Sequence, residues 1–210
     1  MTEFLAKSSD PSAAKNDLAR LKEAIARLDI PGIPFKECWP IPFNLLGNSA
    51  VLSQRMISDP QGCLEIASSK YKNKIKDTST MRKELGEIPG FDSADTEAFA
   101  QTLRKFKYRE LCRITSKEIA GAATENEILR EWSDAASVII SAAYDHIFRK
   151  LSEKNGPPIK EVRGTQCTGC IIALGKLGGR ELNFSSDVDI LSIYSTDEAY
   201  STSPDGTTIN

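Results

Sequence analysis

The sequence has 210 residues, of which 27 are Lys or Arg and 29 are Asp or Glu, giving a formal net charge of −2. With 40% hydrophobic and 27% charged residues, it has the composition of a soluble globular protein, which excludes collagen-like, disulfide-rich and disordered classes. The near-neutral charge argues against a nucleic-acid partner, and no uninterrupted apolar stretch approaches the ~18 residues of a membrane span.

The chain contains one histidine, His146, and five cysteines. A single histidine excludes any site within this chain that requires a histidine pair. An odd number of cysteines over this length does not indicate a disulfide framework, and the first residues lack the basic-then-apolar order of a secretory signal. We therefore expect a cytoplasmic location.

An apolar stripe at spacings of three and four residues predicts the first helix. Asp10 and Pro11 suit its start, since proline is favoured in the first helical turn, and the helix should stop before Pro31. Residues 29–43 contain four of the ten prolines and are predicted to form an extended connector that its aromatic residues hold against the helices. The stripe consists of Ala14, Leu18, Leu21, Ile25 and Leu28.

Three further helices are predicted before residue 152. Ser49 is placed to cap a short one that ends at residues 59–60, and the lysine-rich residues 69–80 are predicted to form a solvated surface segment. Long helices follow at about 95–120 and 126–151. Their inward residues are Phe99, Leu103, Phe106, Leu111 and Ile114 in the first, and Ile128, Trp132, Ala135, Ile139 and Ala143 in the second.

The helix at 95–120 also has a basic face, which is most simply a solvated surface. A second hypothesis lets Arg109 or Arg113 approach nucleotide phosphates or an acidic partner protein. The face consists of Arg104, Lys105, Lys107, Arg109 and Arg113.

The sequence changes character at residues 153–160, where paired prolines exclude a helix interior. Residues 168–174 and 188–194 are short, apolar and β-capable, and a glycine-rich turn at 175–180 lies between them. The polar residues 201–210 show no closing element.

A strand–turn–strand unit cannot bury its own faces, because isolated hairpins are marginal in water. The sequence therefore predicts an α+β fold with two parts. Residues 1–153 form a helical region, and residues 154–210 form the first part of a second domain whose remainder is absent.

Two carboxylates, separated by one residue, lie at the start of the second β-capable run. Because side chains alternate across a strand, Asp187 and Asp189 are predicted to point to the same face. Such a pair becomes favourable when a divalent cation lies between the carboxylates, and Mg²⁺ typically takes one or two protein carboxylates plus substrate phosphates. A solvated strand face is the alternative interpretation.

The glycine-rich turn adds phosphate-binding features to this pair. Gly178 and Gly179 leave backbone N–H groups unhindered, and a helix beginning near Gly179 would direct its positive end at a phosphate. Ser185 and Ser186 add hydroxyl groups just before the carboxylates. The combination indicates metal-assisted phosphoryl or nucleotidyl transfer. The turn matches neither the phosphate-loop nor the dinucleotide-binding pattern, so an ordinary tight connection is the alternative.

The segment GKLGGRELNFSSDVDIL, residues 175–191, resembles the signature of the bacterial glutamine synthetase adenylyltransferase/adenylyl-removing enzymes, which contain two nucleotidyltransferase domains of the polymerase-beta type. Its LNFSS version at residues 182–186 is closer to the N-terminal, adenylyl-removing domain, and that family has a helical region of this length before its first signature. Weaker similarity at residues 48–52 and 103–115 extends the resemblance over most of the chain.

The resemblance implies that Asp187 and Asp189 form the catalytic, metal-binding pair and that the nucleotide phosphates meet Gly178, Gly179 and the two serines before the pair. It implies Mg²⁺ as the cofactor and ATP, ADP and phosphate as ligands. Its protein partners would be glutamine synthetase and, through regions outside these residues, a PII-type signalling protein. The complete protein would transfer an adenylyl group from ATP to a tyrosine and use phosphate to remove it as ADP.

One departure from the family pattern concerns the metal ligands. The family uses a third carboxylate from a later strand, and none here fits, since Asp197, Glu198 and Asp205 follow Asp189 too closely. The chain is therefore interpreted as an N-terminal fragment with negligible turnover alone. A uridylyltransferase-like enzyme is the alternative within the nucleotidyltransferases, and a helical interaction module is the alternative without catalysis.

Two other features are assigned no chemistry. Cys167 and Cys170 have the C-x-x-C spacing of a redox or zinc half-site, but neither a second pair nor a nearby histidine completes it, so we interpret the spacing as coincidence. His146 lies one step from the apolar stripe of its helix and is predicted to be a hydrogen-bonded residue at the boundary of the core.

Overall fold

The computed structural model describes residues 8–28, 42–71, 73–160, 165–196 and 198–209. Most of the predicted connector, with Phe35 and Trp39, lies outside these residues. Its last aromatic residue, Phe43, is buried in a short 3₁₀ helix, Pro42–Leu45. Within the described parts of the chain, no helix is long and apolar enough to cross a membrane.

Helices occupy the first three quarters of the chain and short strands follow, which confirms the α+β class. Along the described residues the helices are α1 (Pro11–Ala26), α2 (Ala50–Ser58), α3 (Pro60–Ser68), α4 (Thr78–Gly86), α5 (Thr96–Ile119) and α6 (Glu125–Asn155). The elements after them are β1 (Ile159–Lys160), β2 (Gly169–Ala173), the one-turn helix α7 (Gly175–Gly178), β3 (Ile190–Tyr194), β4 (Ala199–Thr202) and β5 (Thr208–Ile209). The division into domains after residue 153 stays a prediction, and that position lies within the last turn of α6.

A side-chain oxygen fixes the start of each of the helices α1 to α6 by accepting a backbone N–H that the helix leaves free. Asp10 accepts from Ala13 and Ser49 accepts from Leu52, which confirms both predicted starts. Asp59 follows α2 and caps α3, a helix that the sequence interpretation missed. The remaining caps are Asp77 for α4, Asp95 for α5 and Thr124 for α6.

Two clusters of buried apolar side chains hold the helices together. One joins α1, α2, α3, the 3₁₀ helix and Cys112 of α5, and the other joins α4, α5 and α6. The second cluster also contains Leu177 of α7 and Leu182, so the segment after β2 packs on the helices. The predicted stripes are confirmed at their deepest positions, which are Phe99, Phe106, Ile114, Ile128, Trp132 and Ala135.

A cluster of buried charges links α5 and α6 with the segment before α4. Glu131 is fully buried and accepts hydrogen bonds from Lys76 N–H at 2.7 Å and from Arg113 Nη2 at 2.8 Å. It also pairs with the Lys117 ammonium. Glu110 accepts from Lys76 Nζ and from Arg113 Nη2, both at 2.6 Å. Each of these buried charges faces an opposite charge, which offsets the cost of removing it from water.

Two predictions about exposed charges are wrong because of this cluster. Residues 69–80 are not a uniformly solvated segment, since Lys76 is buried and α4 begins before the segment ends. On the basic face of α5, Arg113 is buried, and Arg109 is half-buried and pairs with Asp59 at 2.7 Å. Both arginines therefore have carboxylate partners within the helical region. The exposed members of the face are Arg104, Lys105 and Lys107.

Charge pairing controls the pKa of Glu110 in spite of its burial. Burial raises the pKa of this carboxyl, but Arg113 and Lys76 outweigh that effect, and the pKa lies below the ordinary value for glutamate. The carboxylate is therefore the stable form in the folded protein.

Two small antiparallel sheets form the C-terminal part. β2 pairs with β3 between the registers Gly169–Tyr194 and Ala173–Ile190, and β4 pairs with both β1 and β5. The predicted hairpin is confirmed, although its second strand begins at Ile190 rather than at residue 188. The polar residues 201–210, for which the sequence predicts no closing element, contain the end of β4 and all of β5, which pair as a hairpin.

We expect Glu110→Gln to lower the free energy of unfolding by about 3–5 kcal/mol, because the substitution leaves two buried cations with one fewer counter-charge. Urea denaturation followed by circular dichroism measures the change. Glu97→Gln on the same helix is the control, since Glu97 pairs with Arg104 at the surface, where water screens the pair and little change is expected. Equal stability of the two variants would contradict a structural role for the buried cluster.

The lowered pKa of Glu110 also predicts a pH dependence of stability. A carboxylate whose folded pKa lies below its unfolded value stabilises the fold above the unfolded pKa, near pH 4 for glutamate, and loses that contribution as pH falls further. The difference in unfolding free energy between wild type and Glu110→Gln should therefore be largest at about pH 6 and shrink below about pH 4. Urea titrations across this range measure it, and a constant difference would contradict the assignment.

Candidate active site

The β2–β3 hairpin brings the two ends of the signature segment together. Beyond the last pair of the ladder, Leu174 N–H donates to the Asp189 carbonyl oxygen at 2.9 Å. Residues 175–188 therefore form an excursion that leaves and rejoins the hairpin at one point, and the glycine-rich turn and the acidic pair lie at its two ends.

Gly175 and Gly178 are the positions in this turn where a side chain would not fit. Gly175 has a φ of +53°, which favours glycine, and a methyl group on it would lie 3.1 Å from Asp189 Oδ2. A methyl group on Gly178 would lie 2.5 Å from the Ala173 carbonyl oxygen, closer than atoms can approach. The sequence pattern points to Gly178 but not to Gly175, whose distinguishing feature is its proximity to a carboxylate.

The predicted helix start near Gly179 is wrong. The short helix α7 ends at Gly178, and no helix follows it among the described residues. The N–H groups of Gly178 and Gly179 donate to the carbonyls of Leu174 at 2.9 Å and Gly175 at 3.0 Å. These two amides are therefore engaged within the turn, and only at Gly178 of these two does the structure exclude a side chain.

Asp187 and Asp189 lie in the segment just before β3 rather than within the strand. Both side chains are exposed. Neither carboxylate has a hydrogen bond or an ion pair to another described residue, whereas the backbone of Asp189 is fixed by its bond to Leu174. The structure thus holds one carboxylate beside Gly175 and presents both to solvent.

Ser185 and Ser186 lie in a turn in which Ser186 N–H donates to the Asn183 carbonyl at 3.2 Å. Ser185 is exposed and Ser186 is half-buried. The ammonium of Lys176, at the other end of the excursion, lies 3.4 Å from Ser186 Oγ. The structure therefore places a cation beside the predicted phosphate-binding serines, and nothing in the sequence pattern indicated a role for that lysine.

The acidic pair offers ligands that fit Mg²⁺. Carboxylate oxygens are hard ligands, and Mg²⁺ is commonly held by one or two of them together with waters and substrate phosphates. Asp187 and Asp189 are exposed and have unengaged oxygens, so water and a phosphate can reach the same space. In the residues that the structure describes, no group of three or more His, Cys, Asp or Glu could hold a metal ion.

The acidic residues that follow β3 lie elsewhere. Asp205 is in the turn between β4 and β5, where its carboxylate accepts hydrogen bonds from the Ser203 hydroxyl and from Thr207 N–H. Glu198 directly precedes β4, whose partners are β1 and β5 rather than β3. Asp197 lies outside the described residues.

The other sequence features do not join this site. Cys167 is buried and Cys170 is exposed at the start of β2, and both are free thiols. His146 is buried against Phe99, with stacked rings 3.9 Å apart. Neither of its ring nitrogens has a hydrogen-bond partner among the described residues, so the prediction of a hydrogen-bonded boundary histidine is wrong. Burial lowers the pKa of His146.

Comparison with known proteins shows to which family the chain belongs. The family model of glutamate-ammonia ligase adenylyltransferase matches residues 43–208, which include the helices after α1 and the signature segment. The chain belongs to this family. Its resemblance to the bacterial glutamine synthetase adenylyltransferase/adenylyl-removing enzymes is thus confirmed.

Individual relatives support the same assignment. The chain is 29% identical over 180 residues to the bifunctional glutamine synthetase adenylyltransferase/adenylyl-removing enzyme of Nitrosococcus oceani and 32% identical over 196 residues to that of Thioalkalivibrio sulfidiphilus. These alignments cover 86% and 88% of this chain but 18% and 19% of the relatives. The chain therefore spans about a fifth of the length of these relatives.

Alanine substitutions at the two neighbouring glycines of the turn are expected to differ in their effect on stability. Gly178→Ala should lower the free energy of unfolding by about 1–3 kcal/mol, because the methyl group overlaps a backbone oxygen that must move. Gly179→Ala should change it by less than about 0.5 kcal/mol, since that methyl meets the Glu181 side chain at an ordinary 3.4 Å. Urea denaturation of the two variants measures the difference, and equal stabilities would contradict the close approach at Gly178.

Proposed function

We propose that this chain contributes the first part of an adenylyl-removing nucleotidyltransferase domain in an enzyme that regulates glutamine synthetase. In the complete protein, the proposed reactions are transfer of an adenylyl group from ATP to a tyrosine of glutamine synthetase and removal of that group by phosphate. The observation that carries the proposal is the excursion at 175–188, which brings a glycine-dependent turn beside an exposed carboxylate in a chain of this family.

In the removal reaction, a phosphate oxygen attacks the phosphorus of the adenylyl group. A new phosphorus–oxygen bond forms as the bond to the tyrosine oxygen breaks. ADP is released, and the tyrosine oxygen is left to take a proton. When bound, Mg²⁺ supplies positive charge that offsets the negative charge on the reacting phosphates.

The residues of the excursion have distinct proposed roles. Asp187 and Asp189 hold Mg²⁺ through their unengaged carboxylate oxygens. Gly178 and Gly179 let the chain turn without side chains, which leaves room for a nucleotide phosphate beside it. Ser185 and Ser186 donate hydroxyl hydrogen bonds to phosphate oxygens.

Lys176 extends this proposed phosphate site. Its ammonium lies within reach of Ser186 and is exposed, so it can pair with a phosphate oxygen as a flexible point charge. The phosphate would thus meet a hydroxyl group and a cation contributed by opposite ends of the same excursion.

The proposed partners are glutamine synthetase, ATP or ADP, inorganic phosphate and, through regions beyond these residues, a PII-type signalling protein. We also propose a cytoplasmic location, in agreement with the free thiols of the described cysteines. The alternatives of a uridylyltransferase-like enzyme or a helical interaction module are not favoured, because the named relatives are adenylyltransferases.

Metal binding provides a direct test with the 210-residue chain. We expect Mn²⁺, which shares the oxygen-ligand preference of Mg²⁺, to bind in the presence of ADP, and Asp187→Asn to weaken that binding by at least about 10-fold. Electron paramagnetic resonance of free Mn²⁺ measures the affinity. Asp92→Asn is the control, since this exposed aspartate lies outside the site. Equal affinity in wild type and Asp187→Asn would reject the metal-binding role.

The reaction itself is tested with the complete product of the reading frame that encodes these residues. Incubation with adenylylated glutamine synthetase, Mg²⁺ and phosphate should release ADP, and Asp187→Asn should abolish the release. Absence of ADP with the wild-type protein would contradict the adenylyl-removing assignment. The 210-residue chain alone should show negligible turnover.

A further inference from the structure

Three consecutive residues of α6 contact the excursion that carries the proposed metal ligands. Trp132, Ser133 and Asp134 each bind a different part of the segment from Arg180 to Asn183, about fifty residues later in the chain. We propose that these three are positioning residues, which fix the segment so that Ser185, Ser186 and the acidic pair are presented in one geometry. This inference rests on the function proposed above.

The hydroxyl group of Ser133 binds the backbone of the excursion. Its fully buried hydroxyl donates to the Leu129 carbonyl at 2.8 Å and accepts the N–H of Leu182 at 3.0 Å. Leu182 is itself 2% exposed, so this amide has no access to water and depends on that hydroxyl oxygen. The bond therefore fixes the backbone at the middle of the excursion to one residue of the helix.

Trp132 acts closer to the serines. Its indole Nε1 donates to the Asn183 carbonyl at 3.3 Å, and its ring packs edge-on against Phe184 with centroids 6.0 Å apart. The same Asn183 carbonyl accepts Ser186 N–H at 3.2 Å. The turn that carries the two serines is therefore closed on an oxygen that Trp132 also holds.

Asp134 fixes the beginning of the segment. Both of its carboxylate oxygens lie 2.7 Å from Arg180 Nη2. Arg180 has a φ of +57°, a left-handed conformation that is uncommon for residues other than glycine. The ion pair therefore joins α6 to a residue with this uncommon backbone conformation, and it engages Arg180 within the protein.

The contacts of these residues differ in kind, which argues for positioning rather than general packing. A buried hydroxyl, an indole N–H and a carboxylate each satisfy a polar group of the excursion, while Leu177 and Leu182 supply its apolar contacts with the helices. From Ser185 to Asp189 the side chains are exposed, except for Ser186, which is half-buried. The middle of the excursion is thus anchored to α6, and the proposed metal ligands follow directly after it.

The test compares Trp132→Phe and Ser133→Ala with the control Ser137→Ala in the 210-residue chain. Trp132→Phe keeps an aromatic ring but loses the N–H, and Ser133→Ala loses the hydroxyl. Ser137 is one turn along α6 and donates to the Ser133 carbonyl at 2.9 Å, so its substitution removes a hydroxyl without touching the excursion.

Two measurements are made on each protein. Hydrogen exchange followed by mass spectrometry, without metal, should show faster exchange at residues 180–189 in the two test variants and unchanged exchange in α6. Mn²⁺ titration with ADP should show affinity weakened by about 10-fold, as when groups that orient metal ligands are removed. The control should match wild type in both measurements.

The outcomes separate this inference from the proposed function. If wild type binds Mn²⁺ through Asp187 and the test variants bind it as tightly as the Ser137→Ala control, positioning by α6 is rejected and the proposed function stands. If wild type shows no binding that depends on Asp187, the proposed function is rejected, and the exchange at residues 180–189 alone decides whether α6 holds the excursion. Exchange that is faster throughout the protein would indicate general destabilisation and would also reject the inference.

Discussion

The burial of Glu131 is the constraint on which the arrangement of this protein depends. Its carboxylate has no contact with water and meets three donors from two other segments, the backbone of Lys76 and the side chains of Arg113 and Lys117. A buried charge is tolerated only when its partners surround it in good geometry. The rotation and axial position of α6 relative to α5 are therefore tightly defined.

This constraint extends to the candidate site because the next three residues of α6 contact the signature segment. A helix advances about 100° per residue, so Trp132 and Ser133 lie on other faces of α6 than Glu131, whereas Asp134 lies nearly one turn further along, close to the face of Glu131. Trp132, Ser133 and Asp134 contact residues 180–183 of the C-terminal part, while Glu131 binds Arg113 of α5. One turn of helix connects the buried ion pairs of the helical region to the backbone that precedes the acidic pair.

Much of the fold follows from patterns that are local in the sequence. The caps at Asp10 and Ser49 and the stripes of α5 and α6 were predictable, because helix starts and apolar periodicity depend on residues within a few positions of one another. The α+β class followed from the same local change in pattern after α6. Helix α3 was missed because Asp59 serves both as the end of one helix and as the cap of the next.

The charges could not be placed in the same way. Lys and Arg side chains usually lie at the protein surface. Only the arrangement of α5 against α6 gives Lys76 and Arg113 buried partners. The glycine turn and the Asp187–Asp189 pair were identifiable as candidates from the signature segment. Gly175, Lys176 and the α6 residues were not, because their relation to the acidic pair arises from contacts across the hairpin or from fifty residues away.

The position of Trp132 has a spectroscopic consequence. An indole whose N–H is hydrogen-bonded to the chain beside the candidate site is sensitive to any change in the polarity or hydrogen bonding of that chain. The protein contains one other tryptophan, Trp39, so a Trp39→Phe variant emits from Trp132 alone. Its fluorescence then reports on the conformation of residues 183–186 without a label, at the place where phosphate and carboxylate chemistry is proposed to meet.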